Sequence, residues 1–212
     1  MLSKKQIRML QILDKQVSTC RICDIYKNGC LVPFWTKSSK YVIIGEVPGF
    51  NEIRKQTPFI GAAGEILTQV LNKSGLDAKD FLILHTIQCR PDSRNNVGSR
   101  KPTEVQVKNC QSYLRKYIKV LQPEKILCLG NYAKYLFTGN FQGVLKERGT
   151  FNECTLDGSN KIYPVLFTIH PAYCIYNTED GVPMLREDIE IFKDTVFEVQ
   201  VDWLFSEDEF KI

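Results

Sequence analysis

The sequence predicts a doubly wound α/β domain, a parallel sheet flanked by helices with ligands bound beyond the carboxyl ends of its strands. Three observations predict it. Short continuous apolar runs recur at Tyr41–Gly45, Phe81–Leu84 and Lys125–Gly130, the pattern of strands buried on both faces. Helical periodicity fills the intervals between those runs. The 212 residues, 43% hydrophobic and 25% charged, suffice for one domain with a substantial core.

Residues 3–17 place Ile7, Leu10, Leu13 and Val17 on one stripe, with Ile12 off it, so an N-terminal helix leads into Cys20. Beyond the first strand, Gly64 to Lys73 carries Ile66, Leu67, Val70 and Leu71 on one side of a helix. After the second strand, Thr103 is placed to cap a helix running to Leu121. Phe151–Leu156 and Ile162–Ile169 flank Asp157-Gly158-Ser159-Asn160 and predict a hairpin. A last helix from about Met184 to Phe197 turns Leu185, Ile189, Phe192 and Val196 inward. No repeat or long linker divides the chain, so 1–212 is expected to form a single domain with the N-terminal helix and CxxC segment packed on it.

No apolar run approaches the roughly 20 residues that cross a bilayer. Charged residues interrupt MLSKKQIRMLQILDK, unlike a signal peptide. A soluble, cytoplasmic monomer is the expectation. The net charge of +4 hides a polarity: residues 1–84 carry +5, 85–148 carry +8 and 149–212 carry −9. A basic middle can be the footprint of a polyanion. Arg115, Lys116 and Lys119 read as a solvated helix face, whereas Arg90, Arg94, Arg100 and Lys101 lie in a loop rich in Gly, Pro, Asn and Ser, where function concentrates. The acidic Ser206–Glu209 reads as a soluble end.

The first strand runs into Gly45-Glu46-Val47-Pro48-Gly49, then Glu52 and Pro58-Phe59-Ile60-Gly61-Ala62-Ala63-Gly64. Taken alone, this is an ordinary glycine-rich turn with solvated acids; neither GxGxxG nor GxxxxGK[ST] is present. The chain's two histidines, His85 and His170, both stand at predicted strand ends. Eight cysteines in a reducing compartment are not expected to form disulfides. Cys20-Arg21-Ile22-Cys23 is a CxxC pair suited to zinc or an iron–sulfur cluster, with Cys30, Cys89, Cys110, Cys128, Cys154 and Cys174 as candidates for the remaining ligands. Cys128 and Cys154 lie in predicted strands and read as core residues, whereas Cys89 and Cys110 could face the CxxC.

These motifs together resemble the iron–sulfur, or family 4, uracil-DNA glycosylases. The resemblance rests on CxxC, GEVPG, Glu52, PFIGAAG, CRP, LG after the third strand and HPAY after the hairpin, in that order over about residues 20–195. It implies a three-layer α/β/α fold. It also implies a [4Fe–4S] cluster on Cys20, Cys23, Cys89 and Cys110, and DNA as partner, whose phosphates the loop residues Arg90, Arg94, Arg100 and Lys101 are expected, from their charge, to contact. Phe59 would stack the flipped base, the backbone at Val47 would close on it, and His85 occupies the base-reading position. Glu46 and Glu52 match the motif acids, His170 the donor to the uracil O2, and Tyr173 and Tyr176 the segment that enters the DNA groove.

Three departures accompany it. His85 stands where the family has an asparagine, Ile53 replaces an acid, and the Cys89–Cys110 spacer is longer. An imidazole cannot donate and accept along one edge as an amide does, and recognition through His85 is expected to vary with pH near an unperturbed value of about 6.5. The reading is a glycosylase acting on uracil or a related deaminated base in DNA. The alternative is an inactive protein of the same fold that binds DNA or a protein partner.

Overall fold

The computed structural model describes residues 1–91, 101–156 and 161–197. Strands β1 (Tyr41–Gly45), β2 (Phe81–His85), β3 (Ile126–Leu129), β4 (Phe151–Thr155) and β5 (Ile162–Thr168) form one sheet in the order β2-β1-β3-β5-β4. All neighbours are parallel except the β4–β5 hairpin, where Phe151 faces Leu166. Helices α1 (Lys4–Thr19), α2 (Phe50–Lys55), α3 (Ala62–Lys73), α4 (Glu104–Leu121), α5 (Asn131–Thr138), α6 (Val144–Glu147), α7 (Tyr173–Tyr176) and α8 (Thr178–Asp194) connect and cover it.

Strand alternation divides the core in two. Val42, Ile44, Leu82, Leu84, Ile126 and Cys128 point to one face, under α1 and α4. Tyr41, Ile43, Phe81, Ile83, Leu127 and Leu129 point to the other, under α3 and α8. Every residue of the first three strands is therefore buried, which is why each reads as an unbroken apolar run. The three-layer α/β/α arrangement follows.

Thr103 caps α4 as its position predicts: its hydroxyl accepts from the Gln106 N–H while the Gln106 side chain accepts from the Thr103 N–H. Two helices depart from the periodicity. On α1 the buried stripe is Gln6, Met9, Leu10, Leu13 and Val17; Ile7 is only half-buried. Gln6 reaches the core because its amide donates to the Val120 and Leu121 carbonyls at 2.9 and 3.2 Å, closing the end of α4. The last helix begins at Thr178 and ends at Asp194, which leaves Val196 at 89% exposure. The buried Lys125 ammonium takes the Phe192, Lys193 and Thr195 carbonyls, so the chain turns away before Val196 can pack.

Among the described residues no helix is long and apolar enough to cross a membrane. Residues 157–160, where the sequence predicts a turn, the acidic segment 206–209, Arg94 and Arg100 lie outside the described residues.

Candidate active site

In the strand order β2-β1-β3 the chain first moves outward from β1 to β2 and then crosses back to β3. Such a reversal opens a crevice beyond the strand ends. Here it holds a cavity of about 170 Å³ lined by Glu46, Gly130, Asn131, Val144, Leu145, Ile169, His170 and Tyr173. Glu46 follows β1, Gly130 follows β3 and His170 follows β5.

Glu46 points its carboxylate at the start of α5, within 3.5 Å of the Tyr132 N–H. Burial raises its pKa, against the lowering effect of the Tyr132 and Asn131 N–H groups and of Lys101. The approach requires glycine at 130, whose φ is +86°: a Cβ there would strike Glu46 Oε1 and come within 3.1 Å of the His170 Cβ.

His170 is a prearranged donor. Its Nδ1 accepts the Ala172 N–H at 3.1 Å, so the neutral ring carries its proton on Nε2. Burial lowers its pKa to about 4, which keeps the ring neutral at physiological pH. The β5 end beneath it is anchored by Asp188, which accepts from the Thr168 hydroxyl and from Arg148 Nε. The periodicity placed α8 but gave no sign of this network, since Arg148, Thr168 and Asp188 share no local pattern.

The β2 end differs. His85 is 1% exposed, and burial, with His170 nearby, lowers its pKa to about 3. The expected titration near pH 6.5 is therefore displaced far below neutrality. Its ring stacks on Phe59 with centroids 5.3 Å apart. Nε2 lies 3.6 Å from Glu52 Oε1, too far for a hydrogen bond, and Nδ1 is buried with no partner among the described residues.

Phe59 has a left-handed backbone, φ +51°. Two features hold it there. Glu52 Oε1 accepts the Phe59 N–H, and a Cβ at Gly64 would collide with the Phe59 carbonyl. Glu52 Oε2 accepts the Gly49 N–H that opens α2. Both oxygens of Glu52 thus serve backbone donors, and the residue is not among those lining the cavity: this second acid clamps the loop. Val47 is half-buried and packs toward the cysteine corner.

That corner gathers cysteines from three segments. Cys20 and Cys23 follow α1, and Cys110 projects from α4. Burial pushes the Cys110 thiol up to about 11, with Cys23 and Cys20 near enough to add to the shift. The Asn109 amide donates to Cys23 Sγ at 3.3 Å. Cys89 packs in the same apolar cluster with Ile87, Val107 and Cys110, but its sulfur is joined to Cys30.

This pairing corrects the expectation that no disulfide forms. Its cause is register: Cys30 and Cys89 face each other in an isolated antiparallel bridge. The flanking bonds run from the Leu31 N–H to Gln88 O and from the Arg90 N–H to Gly29 O, the non-hydrogen-bonded type of pair in which side chains approach most closely. Among the described residues no three His, Cys, Asp or Glu side chains converge as an ion site.

A family model for the uracil DNA glycosylase superfamily matches residues 32–194. The chain belongs to the uracil DNA glycosylase superfamily. A type-4 uracil-DNA glycosylase of Archaeoglobus fulgidus is 33% identical over 187 residues, 85% of this chain and 88% of that protein. One from Thermotoga maritima is 30% identical over 186 residues, 86% of this chain and 92% of its own length. A DNA polymerase of Bacillus phage SP01 is 29% identical over 136 residues, 64% of this chain but 14% of the polymerase.

The remaining residues singled out by the superfamily resemblance divide between surface and interior. Lys101 is exposed. Arg90 is 8% exposed, with its guanidinium over the Phe50 ring: the residue follows Cys89 into the packed corner. Tyr173 lines the cavity and Tyr176 stands at 86% exposure three residues on. Asn131 and Leu145, which also line the cavity, were not singled out by the sequence. The LG motif after the third strand was the available signal for Asn131, since it directly precedes it.

Proposed function

We propose that the protein hydrolyses the N-glycosidic bond of uracil, or of a related deaminated base, in DNA. One observation carries the reading: Glu46 and a neutral His170 with its proton on Nε2 line the same cavity at the sheet's switch point. As the bond breaks, negative charge gathers on the departing base, and a fixed donor beside its O2 lowers the barrier most when that charge has developed. His170 Nε2–H is that donor. The Glu46 carboxylate orients water toward the sugar carbon and faces the positive charge that grows there.

The base must leave the stack to reach this cavity. Phe59 supplies the stacking face and His85 meets the base edge. The exposed Tyr176 and the cavity-lining Tyr173 belong to the segment that enters the DNA groove. Lys101, together with Arg94 and Arg100, contacts phosphates, which position the duplex without reading it.

Cys20, Cys23, Cys89 and Cys110 would hold a [4Fe–4S] cluster. The donor set is soft and comes from three segments: Cys23, Cys89 and Cys110 share one apolar cluster, Cys20 and Cys23 lie near enough to Cys110 to affect its thiol, and the Asn109 amide donates to Cys23 Sγ. When bound, the cluster would tie the segment after α1 to the loop after β2 and to α4.

The inactive alternative draws on His85, whose neutral ring cannot reproduce both hydrogen bonds of an amide. Incubation with oligonucleotides carrying uracil, hypoxanthine or xanthine, followed by alkaline cleavage at abasic sites, decides between the two. Cleavage at uracil or another deaminated base is expected. Retained DNA binding with no cleavage of any of the three would overturn the enzyme reading.

A further inference from the structure

The proposed ligand set uses four of the five cysteines in the corner and leaves Cys30 without a role, yet Cys30 is the one whose backbone is registered against a proposed ligand. Cys30 and Cys89 lie 4.0 Å apart at Cα, in the non-hydrogen-bonded position of their bridge. The pairing therefore follows from main-chain hydrogen bonds on either side of it. Cys110, Ile87 and Val107 belong to the same apolar cluster as Cys89, which gives Cys89 two sets of candidate partners: the thiol across the bridge and the proposed ligands of the corner.

We propose that Cys30 and Cys89 form a reversible disulfide site that shares Cys89 with the cluster, so that the corner holds either four thiolate ligands or one disulfide. The inference rests on the proposed cluster ligation and is independent of the glycosylase chemistry. With iron and sulfide absent, a low-molecular-weight disulfide takes the two thiols to the bonded pair: Cys30–SH and Cys89–SH give up two protons and two electrons, and the oxidant R–S–S–R leaves as two R–SH. A dithiol reductant reverses the exchange and returns Cys89 to the ligand set. Cluster assembly in the oxidised protein thus waits on thiol reduction, and Cys30 is a guard that keeps an unloaded ligand from other chemistry.

The test uses the full-length protein, isolated anaerobically, then stripped of iron with a chelator in the presence of oxidised glutathione. Thiols are alkylated and counted by intact mass, and the cross-link is mapped by peptide mass spectrometry. Of eight cysteines, six should be alkylated before reduction and all eight after it, with the reducible pair at Cys30–Cys89. Visible absorbance and iron content should return on adding ferrous iron and sulfide only after reduction by a dithiol. In Cys30→Ser all seven remaining cysteines should be alkylated without reduction, and the cluster should rebuild without the dithiol step. Cys89→Ser should hold little iron and likewise show seven free thiols.

Eight alkylated cysteines in the oxidised wild type, or a cross-link at another pair, would overturn the proposal. So would loss of iron from Cys30→Ser, which would make Cys30 itself a ligand, or a protein that holds no iron in any state. Failure to cleave uracil would leave these counts unchanged, so the two readings fail separately.

Discussion

The two histidines occupy equivalent places, each at the carboxyl end of a parallel strand, and their surroundings make them different groups. At the β5 end, His170 has Nδ1 bonded to the Ala172 N–H and is left with one free donor facing a cavity. At the β2 end, His85 has a bare, buried Nδ1, a neighbouring carboxylate at 3.6 Å and a phenyl ring against its face. Both rings are neutral near pH 7, because burial lowers both pKa values. What separates them is orientation: one backbone bond fixes the tautomer of His170, whereas only packing fixes His85. A donor that must meet a developing charge needs the first arrangement. A group that reads a base edge can work with the second, at the cost of an unpartnered nitrogen until the base arrives.

Replacing His170 with Asn is the largest expected break in that contrast. Loss of one preorganised donor to a developing anion costs about 10²–10³ in rate, so single-turnover cleavage of a uracil oligonucleotide should fall by that factor while DNA affinity changes little. Equal loss in rate and affinity would show His170 to be a binding group. Because the ring is already neutral, the pH–rate profile should lack a histidine limb between pH 5 and 8. Activity should instead fall toward acid as Glu46 takes up a proton, at a value raised above the ordinary 4.5 by burial.

The next effect lies at the β2 end and passes through Glu52. Its two oxygens hold the Gly49 and Phe59 N–H groups, and each buried donor left unpaired costs about 1–3 kcal/mol. Glu52→Ala should lower stability by about 2–4 kcal/mol in urea unfolding and weaken substrate capture by releasing Phe59. Glu52→Gln, which keeps one carbonyl acceptor, should recover part of both. A variant that loses kcat with stability intact would return Glu52 to the catalytic group.

His85→Asn sharpens the comparison from the other side. An amide at the end of β2 can both donate and accept, so the gain on uracil should be about tenfold in kcat/KM, the worth of one net hydrogen bond of about 1.4 kcal/mol. No change would mean that His85 does not face the base edge.

The parts of the molecule legible in the sequence are those where a regular element carries the residue to its place. The run YVIIG leads directly into Glu46, and the hairpin's second arm delivers His170, because strand direction alone decides where a strand-end residue emerges. The α4 cap was equally plain, since Thr103 and Gln106 form a local pair. Long-range effects were not legible. Nothing in the order of residues shows that Glu52 turns to backbone donors, that the Arg90 guanidinium lies over the Phe50 ring, or that Asp188 reaches Thr168 across the β5 end. The Cys30–Cys89 pair was hidden for the same reason: the bridge joins two segments 59 residues apart, and neither has the alternating pattern of a strand.

A last effect, of similar size, tests burial of His85 itself, through stability against pH. Its folded pKa of about 3 lies below the ordinary 6.5, so between those values the unfolded chain binds a proton that the folded chain refuses. Stability must then fall as pH drops below about 6.5 and stay flat above it. Over the interval from pH 7 to pH 5 the loss due to this one group should be about 1–2 kcal/mol. The raised carboxylates Glu46 and Glu52 act with the opposite sign, since their folded forms hold protons more tightly than the unfolded chain does. The useful quantity is therefore the difference between wild type and His85→Asn, in which the carboxylates largely cancel. Urea unfolding at pH 7 and pH 5 should show the wild type losing more stability than the variant on acidification. Equal losses would mean that His85 reaches water in the folded state, and the β2 end would then differ from the β5 end in exposure as well as in orientation.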